Sequence, residues 1–239
     1  MIKYGSDMFI LCGGYLKMKE KQNKNFIKRV IMTIVGVLGG GVCVAFFRMS
    51  VFGVDPFQAF MSGVDAITPG ISFGTLYVII NIILVSVALL FDRSKIGLGT
   101  FVNIFLLGYV VDYSHQALVM LFPTVNILMR ILLLMIGVVV ICITSALYFT
   151  ANMGVSTYDA VALILADRIR KLAFKYWRII TDFICVFIGI SLFLIAGNDR
   201  SQIATLIGIG TIVTAFFMGP LIAFFNKAIA EPLLYGKKK

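Results

Sequence analysis

Two short polar segments of similar sequence stand out in an otherwise apolar chain. Asp55 and Ser156 suit the N-cap of a helix, and Gln58 and Asp159 follow three residues later, as in a capping box. Two interpretations stay open: these residues only cap two short helices, or the helix N-termini, with their free N–H groups, meet a polar or anionic ligand. The two segments share a glycine-led pattern: Gly-Val-Asp-Pro-Phe-Gln-Ala at 53–59 and Gly-Val-Ser-Thr-Tyr-Asp-Ala at 154–160.

Polar residues inside long apolar runs form a second set of candidates. Asn81 corresponds to Asp182 and Asn103 to Thr214 when the two halves of the chain are aligned, and Asp112 lies late in an apolar run. Polar side chains are costly in hydrocarbon, so they either hydrogen-bond a neighbouring helix or line a polar pathway. Asp182 either pairs with the arginine four residues earlier or is the best candidate for coupling to a proton or cation.

The sequence offers little for enzyme or metal chemistry. His115 is the only histidine, and with Asp112 three residues earlier it supplies too few ligands for a metal site. The four cysteines are far apart in apolar runs and form no CxxC pair, so we expect reduced, packed thiols. We predict no catalytic residue, no metal and no cofactor.

The composition indicates a membrane protein. The chain has 239 residues, of which 60% are hydrophobic and only 13% charged, whereas a soluble domain carries about 25% charged residues. Apolar runs of about 20 residues are long enough to cross the hydrocarbon, and such spans must be helical. Six spans are predicted: Val30–Phe47, Phe73–Phe91, Gly99–Phe122, Ile131–Phe149, Tyr176–Ala196 and Ile203–Phe225.

The net charge of +10 is an orientation signal. Only Arg48, Arg130 and Arg200 fall on one side of the six spans, and the other basic residues fall on the opposite side. The positive-inside rule then places both termini in the cytoplasm. No soluble basic face remains for nucleic acid. The segment Ala160–Lys175 is expected to be an interfacial amphipathic helix that binds anionic headgroups.

The two halves of the chain match at an offset of 101 residues, and each half holds three spans. An odd number of spans means that the second half enters the membrane from the opposite side. We therefore predict an all-α membrane protein of six transmembrane helices in two inverted three-helix repeats, each with a short interfacial or re-entrant helix after its first span. The predicted divisions are a basic cytoplasmic segment 1–28 (with Met18 as a hypothetical natural start), repeats 29–122 and 123–226, and a basic cytoplasmic tail 227–239.

The glycine-led segments and two later Gly-Thr helices resemble the YczE/YyaS/YitT family of bacterial membrane proteins. The Gly-Thr helices begin at Gly99-Thr100 and Gly210-Thr211, and the resemblance covers about Phe26–Asn226. It implies a multi-pass protein of the bacterial plasma membrane, in a family some of whose members are linked to export or production of secondary metabolites. It supplies no substrate, and Gln58 replaces the acid usual in that family.

The functional expectation is a small secondary transporter or exporter of an unknown solute, bound between the repeats. Two alternatives stay open: a non-transporting accessory or regulatory membrane protein, and a substrate-capture subunit of a larger transporter. The expected partners are the lipid bilayer with its anionic headgroups and a small-molecule solute. The sequence leaves a protein partner or a homo-oligomer undecided.

Overall fold

The computed structural model describes residues 25–169 and 174–236, and the secondary structure of these residues is helical, without a strand. The predicted basic segment at the N-terminus, with the hypothetical start at Met18, lies almost wholly outside the described residues. In these two ranges ten α-helices follow one another: α1 Phe26–Ser50, α2 Pro56–Ile67, α3 Phe73–Phe91, α4 Leu98–Leu121, α5 Ile127–Ala151, α6 Thr157–Arg168, α7 Phe174–Ile195, α8 Ile203–Leu206, α9 Ile209–Phe225 and α10 Glu231–Tyr235.

Six helical segments in the described part of the chain are long and apolar enough to cross a membrane. Five of them are α1, α3, α4, α5 and the part Tyr176–Ile195 of α7, and they confirm the first five predicted spans to within a few residues. The helix α4 contains a π-helical stretch at Asn103–Leu107. The described part of the chain is therefore that of a multi-pass, all-helical membrane protein.

The helix of the sixth predicted span ends further along the chain than the sequence predicts. The predicted Ile203–Phe225 is interrupted between α8 and α9, and α9 lies within it. From Phe225 the helix continues through the π-helical stretch Asn226–Ala230 into α10, and the sixth candidate span ends at Tyr235. Ala230 and Leu234 are buried against α1 and α5, and this apolar packing extends the helix. The predicted tail at 227–239 thus begins inside a helix, and its last three residues lie outside the described part.

The short helices α2 and α6 lie within the bundle, and each packs on long helices of the other half. Helix α2 packs on α7, and α6 packs on α3 as well as on α7. Ala160 and Ala162 of α6 are fully buried, so the first turns of this helix pack against other helices, and its predicted place at the membrane interface stays a prediction. Only its end is exposed, where Asp167 pairs with Lys95 Nζ at 3.0 Å. Residues 170–173 of the predicted interfacial helix lie outside the described part.

Two equivalent turns connect the halves of the chain. The turn between α1 and α2 meets the start of α9, and the turn between α5 and α6 meets the start of α4. At each turn a glycine N–H and a threonine hydroxyl donate to two carbonyl groups. The accepting residues of one turn stand 101 positions after those of the other in the sequence. Four hydrogen bonds of 2.7 Å make the connection: Gly99 N–H to Met153 O, Thr100 Oγ1–H to Val155 O, Gly210 N–H to Phe52 O, and Thr211 Oγ1–H to Val54 O.

The glycines that lead the two polar segments are required by these turns. Gly53 has φ +99° and Gly154 has φ +113°, a left-handed conformation that glycine adopts without steric cost. A Cβ on Gly53 would lie 2.6 Å from Thr211 Oγ1, and one on Gly154 would lie 2.6 Å from Thr100 Oγ1. The repeated glycines of the sequence therefore serve the close approach of the two halves.

Candidate functional site

A cavity of about 160 Å³ lies between the two halves of the chain. It collects side chains from α1, α2, α3, α4, α5, α6 and α9, so no single helix forms it. Most of the residues predicted from the sequence line this one cavity. They are Asp55, Gln58, Asn81, Asn103, Ser156 and Asp159.

The N-termini of α2 and α6 both face this cavity, and both are capped. Asp55 Oδ1 accepts hydrogen bonds from the N–H groups of Phe57 (3.1 Å) and Gln58 (3.2 Å). Ser156 Oγ accepts from the N–H of Asp159 at 3.1 Å. The predicted caps are therefore present, and the chain itself occupies first-turn N–H groups that an anionic ligand would need.

Aromatic side chains line the cavity between the two short helices. The rings of Phe57 and Tyr158 stack with centroids 5.0 Å apart and planes inclined by 21°. Both rings are buried and line the cavity. The guanidinium of Arg178 lies over the Tyr158 ring, 4.4 Å from its centroid. Aromatic faces favour cations, so this part of the site accommodates positive charge.

A chain of hydrogen bonds joins the polar residues of α3, α4 and α6. Thr157 Oγ1–H donates to Asn81 Oδ1, and Asn81 Nδ2–H donates to Tyr77 O at 2.7 Å. Tyr77 Oη–H donates to Asn103 Oδ1 at 3.0 Å, at the start of the π-helical stretch of α4. Asn81 and Asn103 thus bond between helices, as one of the two interpretations predicted, and they also line the cavity.

Two buried polar atoms at the cavity lack a partner among the described residues: Gln58 Oε1 and the Tyr148 hydroxyl. Their side chains are only 4% and 7% exposed. A buried polar atom without a hydrogen bond costs about 1–3 kcal/mol, so a water molecule or a polar ligand in the cavity would be stabilised by bonding these two atoms. Sequence reasoning missed Tyr148. Its counterpart 101 residues earlier is Phe47, so the added hydroxyl was the available signal.

An adjoining cavity of about 450 Å³ shares Asp55 and Asp159 with the first and adds Arg178 and Asp182. Arg178 Nη1 pairs with Asp159 Oδ1, and its Nε lies 3.3 Å from Asp182 Oδ1. Asp182 Oδ1 also accepts from the Tyr158 hydroxyl at 2.5 Å. The i, i+4 pair of Arg178 and Asp182 is present as predicted, and Arg178 additionally connects α7 to α6.

Asp112 lies apart from the other predicted residues. Its Oδ2 accepts from the N–H of Gly74 at 2.7 Å and so holds the start of α3. Thr214, the counterpart of Asn103, lines both cavities. Among the described residues there is no group of three or more His, Cys, Asp or Glu side chains that could hold a metal ion.

Comparison with known proteins gives a family but no function. A family model described as a family of unknown function, DUF6198, matches residues 27–227. Comparisons with curated proteins and with solved structures gave no match. The resemblance to the YczE/YyaS/YitT family stays a prediction.

Proposed function

The chain belongs to DUF6198, a family of unknown function, and we propose that it is a small secondary transporter that binds a polar solute between its two halves. The observation that carries this proposal is the pair of unpartnered atoms, Gln58 Oε1 and Tyr148 Oη, on one cavity. A solute that donates to Gln58 and bonds the tyrosine hydroxyl would satisfy both. Such a site inside a helical bundle is typical of secondary transporters.

The proposal includes an inverted-repeat architecture. The paired turns, the paired glycines and the stacked Phe57 and Tyr158 all relate positions 101 residues apart. With three candidate spans in each half, the repeats would have opposite orientations in the membrane. The cavity then lies at the interface of the repeats, where rocking of one half against the other would open it to either side in turn.

The proposed orientation follows from charge. The loop between α3 and α4 carries Arg93 and Lys95, whereas the loop after α7 carries Arg200 beside Asp199. By the positive-inside rule the first loop and both termini face the cytoplasm, and the second loop faces outward. The proposed location is the bacterial plasma membrane, where the basic side meets anionic headgroups.

Transport by reconstituted protein tests the proposal. Purified protein in liposomes is given a panel of small metabolites under proton and sodium gradients, and uptake is measured for the wild type, Gln58→Leu and Tyr148→Phe. We expect at least one solute to move, and each variant to reduce its uptake about three- to tenfold, the value of one hydrogen bond or slightly more.

Matched substitutions outside the cavity serve as controls. Gln202→Leu and Tyr113→Phe alter exposed side chains and should leave uptake unchanged. If correctly folded protein moves no solute under any gradient, the transporter proposal is wrong. Strict dependence of function on a co-purifying membrane subunit would instead favour an accessory or substrate-capture role.

A further inference from the structure

Among the described residues, Asp55 differs from the other two carboxylates of the site in forming no salt bridge, and Arg178 acts on it only at longer range. Arg178 pairs with both Asp159 and Asp182, whereas Asp55 makes no ion pair within the described ranges 25–169 and 174–236. Its Oδ1 accepts two backbone N–H groups, and no hydrogen bond there reaches Oδ2. Three carboxylates therefore face one guanidinium, and the uncompensated charge lies where the two cavities join.

Gln58 adds a second acceptor beside this charge. It follows Asp55 by three residues on the first turn of α2, so both side chains lie on the same side of the helix. Gln58 Oε1 is buried on the cavity and has no donor among the described residues. Two acceptors, one of them charged, would repel an anion. A neutral alcohol has one donor, whereas an ammonium group has three donors and a positive charge.

The surroundings also favour a small cation. Phe57 also lines the cavity, and aromatic rings attract cations. The Tyr148 hydroxyl can accept a further N–H. First-turn N–H groups of α2 and α6 are taken by Asp55 and Ser156, which removes the usual reason for an anion at helix N-termini.

We infer that the solute is a small organic cation with a primary ammonium group, which donates to the carboxylate of Asp55 and to Oε1 of Gln58. This inference rests on the proposed function, because it concerns the same cavity. The cavity volume of about 160 Å³ is suited to a small molecule.

Three probes of nearly equal size and different charge test the inference: propylammonium, 1-propanol and propionate. Binding to the purified full chain is measured by calorimetry and by the ligand-induced rise of the unfolding midpoint, at constant ionic strength. We expect saturable binding of propylammonium and at least tenfold weaker binding of the other two. Asp55→Asn keeps an N-cap residue and should weaken propylammonium binding at least tenfold.

Asp92→Asn is the matched control, because Asp92 also accepts a backbone N–H, that of Ser94 at 2.9 Å, but lies outside both cavities. It should leave the affinity unchanged. Gln58→Leu gives a second variant should Asp55→Asn fail to fold, and it too should weaken propylammonium binding.

The possible failures are distinguishable. Preferential binding of propionate or propanol that Gln58→Leu weakens would overturn the assignment of a cation and keep a solute site. Unchanged propylammonium affinity in Asp55→Asn, or no binding of any probe by folded protein, would overturn the inference as well. These binding results alone leave the transporter proposal standing, and a metabolite panel without any transport would contradict it.

Discussion

Phe57 and Tyr158 stand 101 positions apart in the sequence and stack on each other at the centre of the bundle, with ring centroids 5.0 Å apart. Each ring belongs to the first turn of a short helix, and each helix packs on long helices of the other half. In two halves related by an approximate twofold axis, equivalent residues contact each other where the axis passes between them. The stack thus locates the axis of the proposed repeat, and the candidate site surrounds it.

The residues that directly follow α1 and α5 test whether the two halves of the chain are equivalent. Val51 has φ +63° and Asn152, its counterpart, has φ +49°. The left-handed conformation costs most residues about 1–2 kcal/mol, and a β-branched side chain suffers more than asparagine. Val51→Asn should therefore raise the free energy of unfolding by about 1 kcal/mol, and Asn152→Val should lower it by a similar amount. Thermal unfolding in detergent measures both, and a lower midpoint for Val51→Asn would contradict the explanation.

The two threonines that bond across the halves should contribute equally to the free energy of unfolding. Thr100 and Thr211 each donate to a carbonyl of the opposite turn at 2.7 Å. Valine at either position leaves that carbonyl without this donor and should lower the free energy of unfolding by about 1–3 kcal/mol. The half-buried Thr205, whose hydroxyl bonds only within its own turn, is the control, and Thr205→Val should be nearly neutral. A large loss at one threonine with none at the other would argue against equivalent turns.

Close packing of α1 on α5 depends on Gly36. A Cβ at this position would lie 2.9 Å from Thr144 O and 3.0 Å from Tyr148 Cβ. Gly36→Ala should therefore lower the free energy of unfolding by about 1–3 kcal/mol, as expected for overpacking. Gly219, also within a helix, has no atom within 4 Å of its ideal Cβ, so Gly219→Ala should be neutral or stabilising. Equal unfolding midpoints for the two variants would contradict close packing at Gly36.

Much of the fold could be predicted from the sequence because the bilayer imposes helical spans of about 20 apolar residues. The end of the sixth span could not be predicted in this way. Lys227 and Glu231 indicate a charged tail, yet the apolar residues between and after them, Ala230 and Leu234, pack against α1 and α5. The sequence also did not predict that Ala160 packs on Ala88 of α3, because this contact depends on how the two halves pack together.

The candidate site could be predicted in part because polar residues are few and fall at equivalent positions of the two halves. The sequence could not predict the pairing of Arg178 with Asp159, because it depends on how α7 packs against α6. It also could not predict that Asp112 lies away from the other candidate residues, where it holds the start of α3 through Gly74. Tyr148 was missed because a tyrosine in an apolar span looks like an ordinary packing residue.

Topology is tested by two exposed serines in opposite loops. Ser94 lies between α3 and α4, and Ser201 lies between α7 and α8. In a background with the four native cysteines replaced by alanine, Ser94→Cys should react with a membrane-impermeant maleimide only from the cytoplasmic side. Ser201→Cys should react only from the outside, because an odd number of spans separates the two loops. Reaction of both from the same side would contradict the six-span topology.

Access to the cavity from both sides tests the transporter proposal most directly. Ser145 lines the cavity and is half-buried, so Ser145→Cys places a small thiol at the site. In the same cysteine-free background, right-side-out and inverted vesicles are treated with a small impermeant thiosulfonate, with Ser94→Cys and Ser201→Cys as markers of each side. If the cavity opens alternately, Cys at 145 reacts in both kinds of vesicle while each marker reacts in only one. Reaction at 145 from a single side, or from neither, would contradict transport through this cavity.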